Sequence, residues 1–356
     1  MLGYAVLFFF LLTSFLSYIE RFIGKYKLPI YITIGAALII LAATREIGID
    51  PDSEDYENAF LHHYSSTTAD MVEYSFILIS QIIQLFSNDV HYLFLFYAIF
   101  GVTLKFVAFR KLCEFWFLPL VVYISYYYIF HELMQIRTGI MAGMFLLAIK
   151  PLGEGKRLKA FFYIAIGFIF HYSALALLPL LFLSNKPMST IQRTLWALII
   201  PFGYMIHFYG FTALLELSTE LPYIGQKLAA YQLGTERGNV IDIVNVFNLL
   251  FIITNILYLY LLYFHDTIIE HNKYYPLLMK IFALSILSYT ALSGFPVLAE
   301  RINLLLFLVS TILFTNIYYT IKPRWAGITA VILVAFAYLN ISITSIDLSI
   351  LWVKNK

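Results

Sequence analysis

Runs of roughly twenty apolar residues follow one another along this chain, with only short polar stretches between most of them. The hydrocarbon core of a bilayer, about 30 Å thick, takes about 20 such residues per helix. A backbone in hydrocarbon must also satisfy its own N–H and C=O groups, which leaves helices or closed barrels. The alternating ten-residue pattern of an outer-membrane barrel is absent. The sequence therefore reads as an all-α polytopic membrane protein. Composition agrees, with 61% hydrophobic and 12% charged residues, against about 45–50% and about 25% in ordinary globular domains. A net charge of +2 gives no support to nucleic-acid binding. The single cysteine, Cys113, excludes an intrachain disulfide framework and a Cys-based zinc site.

Twelve spans are expected, near residues 2–19, 29–44, 91–109, 115–131, 133–150, 160–171, 173–184, 194–209, 241–264, 276–292, 302–320 and 325–344. The apolar segment 74–86 is short for a span and suits a helix lying in the interface. With that assignment most of the 23 Lys and Arg residues fall on one side, among them Arg21, Lys25, Lys27, Lys105, Arg110, Lys111, Lys156, Arg157 and Arg324. By the positive-inside rule that side is cytoplasmic and both termini lie outside. The first apolar run lacks a basic flank and a small-residue cleavage site, so it reads as a retained span. No repeat of 20–50 residues is visible. Residues 1–356 read as a single transmembrane domain with two long outer loops, 45–90 and 210–240. Long ordered loops on a compact scaffold are usually functional.

Ionisable groups at span depth are costly, so each is a functional candidate. Arg45 ends the second span, and Glu73 opens the interfacial helix. Glu132, Gln135 and Arg137 sit where the fourth and fifth spans meet. His171, Tyr172 and Ser173 join the sixth and seventh, and Glu300 and Arg301 lie at the start of the eleventh. Independent segments thus place polar groups at one depth on one side, which points to a single outward cavity. Each has a plainer reading. Arg45 would serve as an interface anchor, Arg137 as the partner of Glu132, and Arg301 as the partner of Glu300. Asp50, Asp52, Glu54, Asp55 and Glu57 would form a solvated acidic loop, since their spacing does not match an EF-hand. The Tyr123–Tyr128 cluster reads as an aromatic belt.

No P-loop, G-x-S-x-G elbow, H-E-x-x-H or dinucleotide turn is present. The cytoplasmic loops are too short for a nucleotide-binding domain. Arginines suit an anionic substrate such as a diphosphate, because guanidinium forks match phosphate oxygens. A neighbouring histidine or carboxylate would deprotonate a hydroxyl. The pattern expected is transfer chemistry on a lipid diphosphate, energised by the donor itself.

The chain resembles the EpsG-type branch of the Wzy polysaccharide polymerases. The resemblance rests on an R-x-x-G-x-D…Y-x-x-x-F type segment carrying Arg45, Gly48, Tyr56 and Phe60, then on Glu73 and Tyr74. It continues through QIRTGIMAGMFLLAI with Gln135 and Arg137, FHYSAL with His171 and Ser173, and AERINLLLF with Arg301. Asp50 and Asp52 both stand where the family's aspartate would; Asp52 is favoured because Tyr56 follows four residues later. The resemblance implies a GT-C-like membrane fold in the bacterial cytoplasmic (inner) membrane, with its site facing the periplasm or exterior. It implies a polymerase that joins undecaprenyl-diphosphate-linked oligosaccharide units as both donor and acceptor. No nucleotide, metal or other cofactor is expected, and a separate chain-length regulator is an implied partner beside the lipid bilayer.

On this reading Arg137 and Arg301 bind the donor diphosphate, and His171 is the base, with Asp52 or Glu73 as runner-up. Arg45, Tyr56, Glu132, Gln135, Tyr172, Ser173 and Glu300 are the expected substrate contacts. Outer aromatics such as Tyr64, Tyr223 and Tyr231 are candidates for stacking on sugars. A ligase using the same donor is the nearest alternative. A flippase would need polar groups at the midplane and on both sides.

Overall fold

A computed structural model of the chain describes residues 2–62, 73–210 and 244–345, and these contain helices and no strand. Tyr64, Tyr223 and Tyr231, with most of the expected 210–240 loop, lie outside the described residues. Seven helices are long and apolar enough to cross a membrane: Leu2–Ile19, Gly24–Ala43, His91–Leu112, Phe117–Met134, Ile136–Gly153, Pro296–Tyr319 and Arg324–Ile343. The other segments expected as spans hold helices shorter than 18 residues, and in 241–264 the helix begins only at Leu249.

The chain divides into two compact units. The first comprises 1–185, 267–275 and 310–356, and the second 186–266 and 276–309. In the first unit we number α1 Leu2–Ile19, α2 Lys27–Ala43, α3 Ser53–His62, α4 Tyr74–Gln84 and α5 His91–Leu112. Then come α6, Phe117–Val122, which runs on as a π-helix Tyr123–Met134, α7 Ile136–Gly153, and α8 Arg157–Phe170. A 3-10 helix follows over Tyr172–Phe182.

Between helices in hydrocarbon the hydrophobic effect has no water to expel, so close packing through small residues and interhelical hydrogen bonds carry association. Both are visible where α5 meets α7. A Cβ on Gly143 would stand 2.6 Å from the Leu104 Cβ, so only glycine permits that approach. Lys105, expected among the cytoplasmic loop charges, is instead fully buried in α5. Its Nζ lies 2.5 Å from Glu132 Oε1 and donates to the Gly139 carbonyl at 2.7 Å. In the same unit Glu20 is buried too, accepting the Trp116 and Phe117 N–H groups at 2.6 and 3.1 Å. It thereby neutralises the N-terminus of α6, where a negative charge is favoured.

The tyrosine cluster is not a belt. Tyr123, Tyr127 and Tyr128 are all fully buried, and the π-helix turns their hydroxyls onto Glu132, Ser310 and the Leu38 carbonyl. Each hydroxyl finds an interior partner, which removes the reason for these rings to sit at headgroup depth.

Helix α4 has eleven residues, about 16 Å at 1.5 Å each, too short to cross. Its large apolar residues Tyr74, Leu78 and Ile82 face outward, while Ser75 and Ser80 are buried. Ser75 Oγ donates to the Ile169 carbonyl of α8 at 2.5 Å. The inward face is mixed, with Phe76 buried beside the two serines, and the apolar residues left outside are the ones that would meet lipid.

The loop after α2 needs one glycine. Gly48 has φ of +82°, its N–H donates to Ser53 Oγ, and a Cβ there would lie 2.8 Å from Glu54 Oε1. Forcing an L side chain into this region costs roughly 1–2 kcal/mol. Gly48→Ala is accordingly expected to lower the unfolding temperature of the purified protein measurably, and an unchanged temperature would show that the turn relaxes freely.

The second unit holds α9 Thr190–Ala197, α10 Ile199–Tyr209, α11 Leu249–Tyr263, all but the first residue of α12 Tyr275–Ala291, and α13 Pro296–Phe307. Ser189 and Gln192 form a capping box on α9. Tyr204 stacks on Phe247 at 5.1 Å, and Asn303 Nδ2 donates to the Ser285 carbonyl at 3.0 Å, tying α13 to α12.

Candidate active site

Within the first unit, three helix starts meet at one carboxylate. Glu73 immediately precedes α4, and its side chain does not cap that helix. It reaches Arg137, the second residue of α7, through Oε2 and the guanidinium Nη1. Its Oε1 accepts the N–H of Tyr172, the first residue of the 3-10 helix, at 3.3 Å. His171 Nε2 lies 3.9 Å from the same oxygen. Glu73 is almost fully buried, whereas the Arg137 and His171 side chains retain 20% and 14% exposure. The cluster is therefore reachable from outside the protein on its cationic and imidazole sides.

Local sequence explains each placement. His171 is extended (φ −157°, ψ 126°), which breaks the chain between α8 and the 3-10 helix and leaves its ring at the junction. Its Nδ1 accepts the Ser173 N–H at 3.1 Å. A neutral ring in this arrangement carries its proton on Nε2, the nitrogen facing Glu73. Gln135, at the joint between the π-helix and α7 (φ −91°, ψ 63°), hands Arg137 to the first turn of α7. The Arg137 guanidinium sits 5.5 Å above Phe76 and 5.9 Å above Tyr56, so aromatic faces set its position. Tyr172 packs on Phe168 at 5.3 Å.

Arg45 is part of the support beneath this cluster. Its Nε donates to Asp50 Oδ2 at 3.0 Å, both side chains are wholly buried, and the guanidinium lies 3.7 Å from the centre of the Phe94 ring. Burial pulls the Arg45 pKa down, and Asp50 opposes that pull. Arg45 is thus buried with a partner rather than a surface anchor. Asp50, not Asp52, takes the arginine; Asp52 is half-buried, and its N–H donates to Asp50 Oδ1 at 3.1 Å. Phe94, Tyr56 and Phe76 join Phe60, Tyr97 and Ile140 in one core cluster.

Glu132 does not pair with Arg137. Its Oε1 holds Lys105 and accepts the Tyr123 hydroxyl at 3.0 Å, while its buried Oε2 has no hydrogen-bond partner among the described residues. A Cβ on Gly101 would stand 2.1 Å from that oxygen, so two glycines, Gly101 and Gly139, make the room it occupies. Neighbouring His131 is fully buried, and neither ring nitrogen has a hydrogen-bond partner among the described residues. Sequence reasoning missed the Lys105 partnership. The available signal was a lysine inside an unbroken apolar run, GVTLKFVAF.

Glu300 and Arg301 belong to α13 of the second unit, where both are exposed and form no ion pair among the described residues. No group of three or more His, Cys, Asp or Glu side chains among the described residues could hold a metal ion.

Residues 28–354, nearly the whole chain, match the EpsG family. The chain belongs to the EpsG family. That membership gives it a role of the polysaccharide-polymerase type, a glycosyltransferase-like activity in a multi-pass membrane protein. No curated protein and no solved structure matches the chain significantly. In this EpsG protein the Glu73–Arg137–His171 cluster is the candidate site.

Proposed function

We propose that this EpsG protein joins undecaprenyl-diphosphate-linked oligosaccharide units into O-antigen, capsular or exopolysaccharide chains at the outer face of the cytoplasmic membrane. The observation that carries the proposal is the arginine at the start of α7, held by a carboxylate and bordered by a backbone N–H and a histidine. A helix N-terminus with an added guanidinium favours an anion. In the resting site Glu73 supplies that negative charge; a diphosphate would take its place.

The reaction follows from this exchange. Arg137 leaves Glu73 for the donor diphosphate and neutralises charge as the anomeric C–O bond breaks. A hydroxyl at the non-reducing end of the acceptor unit forms the new C–O bond, and undecaprenyl diphosphate departs with the bonding electrons. The hydroxyl proton passes to the Glu73 carboxylate that Arg137 has released. His171 faces that carboxylate with Nε2 from 3.9 Å, since the Ser173 N–H occupies its other nitrogen. The base in this reading is Glu73, the runner-up of the sequence reading, with His171 beside it. For Arg301 a donor-binding role is proposed on the family resemblance alone. The reading carries with it a twelve-span, GT-C-like arrangement, needs no nucleotide, and leaves chain length to a separate regulator.

The test is reconstitution in liposomes with the lipid-linked repeat unit and no nucleotide or metal. A ladder of longer lipid-linked glycans is expected on a gel. Movement of the unit between leaflets without a ladder would make the protein a flippase. Transfer only after lipid A-core is added would make it a ligase.

A further inference from the structure

Away from that cluster, α2 and α5 enclose a slot of about 220 Å³. Ile32, Gly35, Ala36 and Ile39 form one wall, Thr103 and Phe106 the other, and Arg110 closes one end. The slot exists because α2 carries its smallest residues there. Gly35 has no side chain where a Cβ would stand 3.0 Å from the Phe106 ring, and Ala36 adds only a methyl. Its rim is open, with Ile32, Ala36 and Thr103 exposed. Both helices have the length and hydropathy of membrane spans, so hydrocarbon is what meets this opening.

Size and direction narrow the occupant. A pocket that encloses a whole small molecule holds about 300–1,000 Å³; this one has room for a segment of chain. From Tyr31 to Ile39 the slot follows α2 for about 12 Å at 1.5 Å per residue, close to the ~15 Å of one leaflet's hydrocarbon. At its end the Arg110 guanidinium lies 4.7 Å from the centre of the Trp116 ring, and Lys27 Nζ lies 4.2 Å from the same ring. Lys27 is engaged with Glu20 at 2.7 Å, whereas exposed Arg110 has no ion-pair partner among the described residues and is followed by exposed Lys111. Stacking on an indole fixes a guanidinium plane and leaves its edge free to bind phosphate. Tryptophan beside arginine is also what headgroup depth favours.

We infer that this slot binds one acyl chain of an anionic phospholipid, with the lipid phosphate held against Arg110. The site is independent of the Glu73 cluster and of the reaction proposed for it.

The full-length protein in detergent would be titrated with phosphatidylglycerol and, separately, with phosphatidylcholine of identical acyl chains, and bound lipid counted by native mass spectrometry. Phosphatidylglycerol is expected to bind at least tenfold more tightly, and Arg110→Gln to erase that preference. Ala36→Phe, which fills the slot, is expected to reduce phosphatidylglycerol binding at least tenfold. Thr103→Trp on the exposed rim gives a second way to block it should the first variant not fold. Equal binding of the two lipids by the unaltered protein would overturn the inference. So would undiminished phosphatidylglycerol binding by the folded blocking variants, or displacement of that lipid by equimolar undecaprenyl phosphate, which would give the slot to the lipid carrier instead.

Discussion

Glu132→Ala is expected to destabilise the fold by about 3–5 kcal/mol, the usual cost of leaving a buried charge without its partner. The stranded group is Lys105, which has no exposure and keeps only the Gly139 and Gly101 carbonyls at 2.7 and 3.3 Å. The Tyr123 hydroxyl loses its acceptor in the same step. Natural domains carry only about 5–15 kcal/mol in total, so the loss is a large share of it. The check is recovery of monodisperse protein after solubilisation, with its unfolding temperature. Because the pair repays a desolvation penalty of its own, removing both charges together behaves differently. Lys105→Met with Glu132→Leu is expected to regain most of the lost stability. A double variant as unstable as the single one would mean that the glycine-lined space around Glu132, not the charge, sets the cost.

Arg137→Ala is expected to behave in the opposite way, with folding retained and polymer lost. Its side chain is one-fifth exposed, and Glu73 keeps the Tyr172 N–H when the guanidinium goes. Losing a group that stabilises developing transition-state charge costs about 2.7–4 kcal/mol, a factor of about 10² to 10³ in rate. Arg137→Lys keeps the charge but not the planar fork, so an intermediate rate is expected. Initial rates of ladder formation in liposomes, compared at matched amounts of folded protein, read the difference. Full-length polymer from the alanine variant at an undiminished rate would remove Arg137 from the reaction.

The helical membrane architecture was legible in the sequence because hydrocarbon thickness dictates run length, and the longest runs reappear as helices of 18 to 24 residues. Polar groups were legible as exceptions to that pattern, which is how Glu73, Arg137 and His171 came to notice. Their partners were not legible. Arg137 sits five residues from Glu132 in the chain, yet the π-helix turns Glu132 inward to Lys105 and leaves Arg137 to Glu73, 64 residues earlier. A π-helix has no strong sequence signature, so neither that turn nor the burial of Tyr123, Tyr127 and Tyr128 followed from spacing. The choice between Asp50 and Asp52 depended on the left-handed turn at Gly48, which brings Asp50 back onto Arg45. The tautomer favoured for a neutral His171 depends on a single backbone N–H, that of Ser173, which periodicity cannot reveal.

The nucleotide-free glycan transfer proposed for the Glu73–Arg137–His171 cluster makes two products that can be counted at once. Purified protein in liposomes would receive the radiolabelled lipid-linked repeat unit, and glycosidic bonds formed and undecaprenyl diphosphate released would be measured in the same sample, beside folded Arg137→Ala. One diphosphate is expected for each bond formed, with both falling together by about 10² or more in the variant. Release without bond formation, or equal yields from the unaltered protein and the variant, would contradict it.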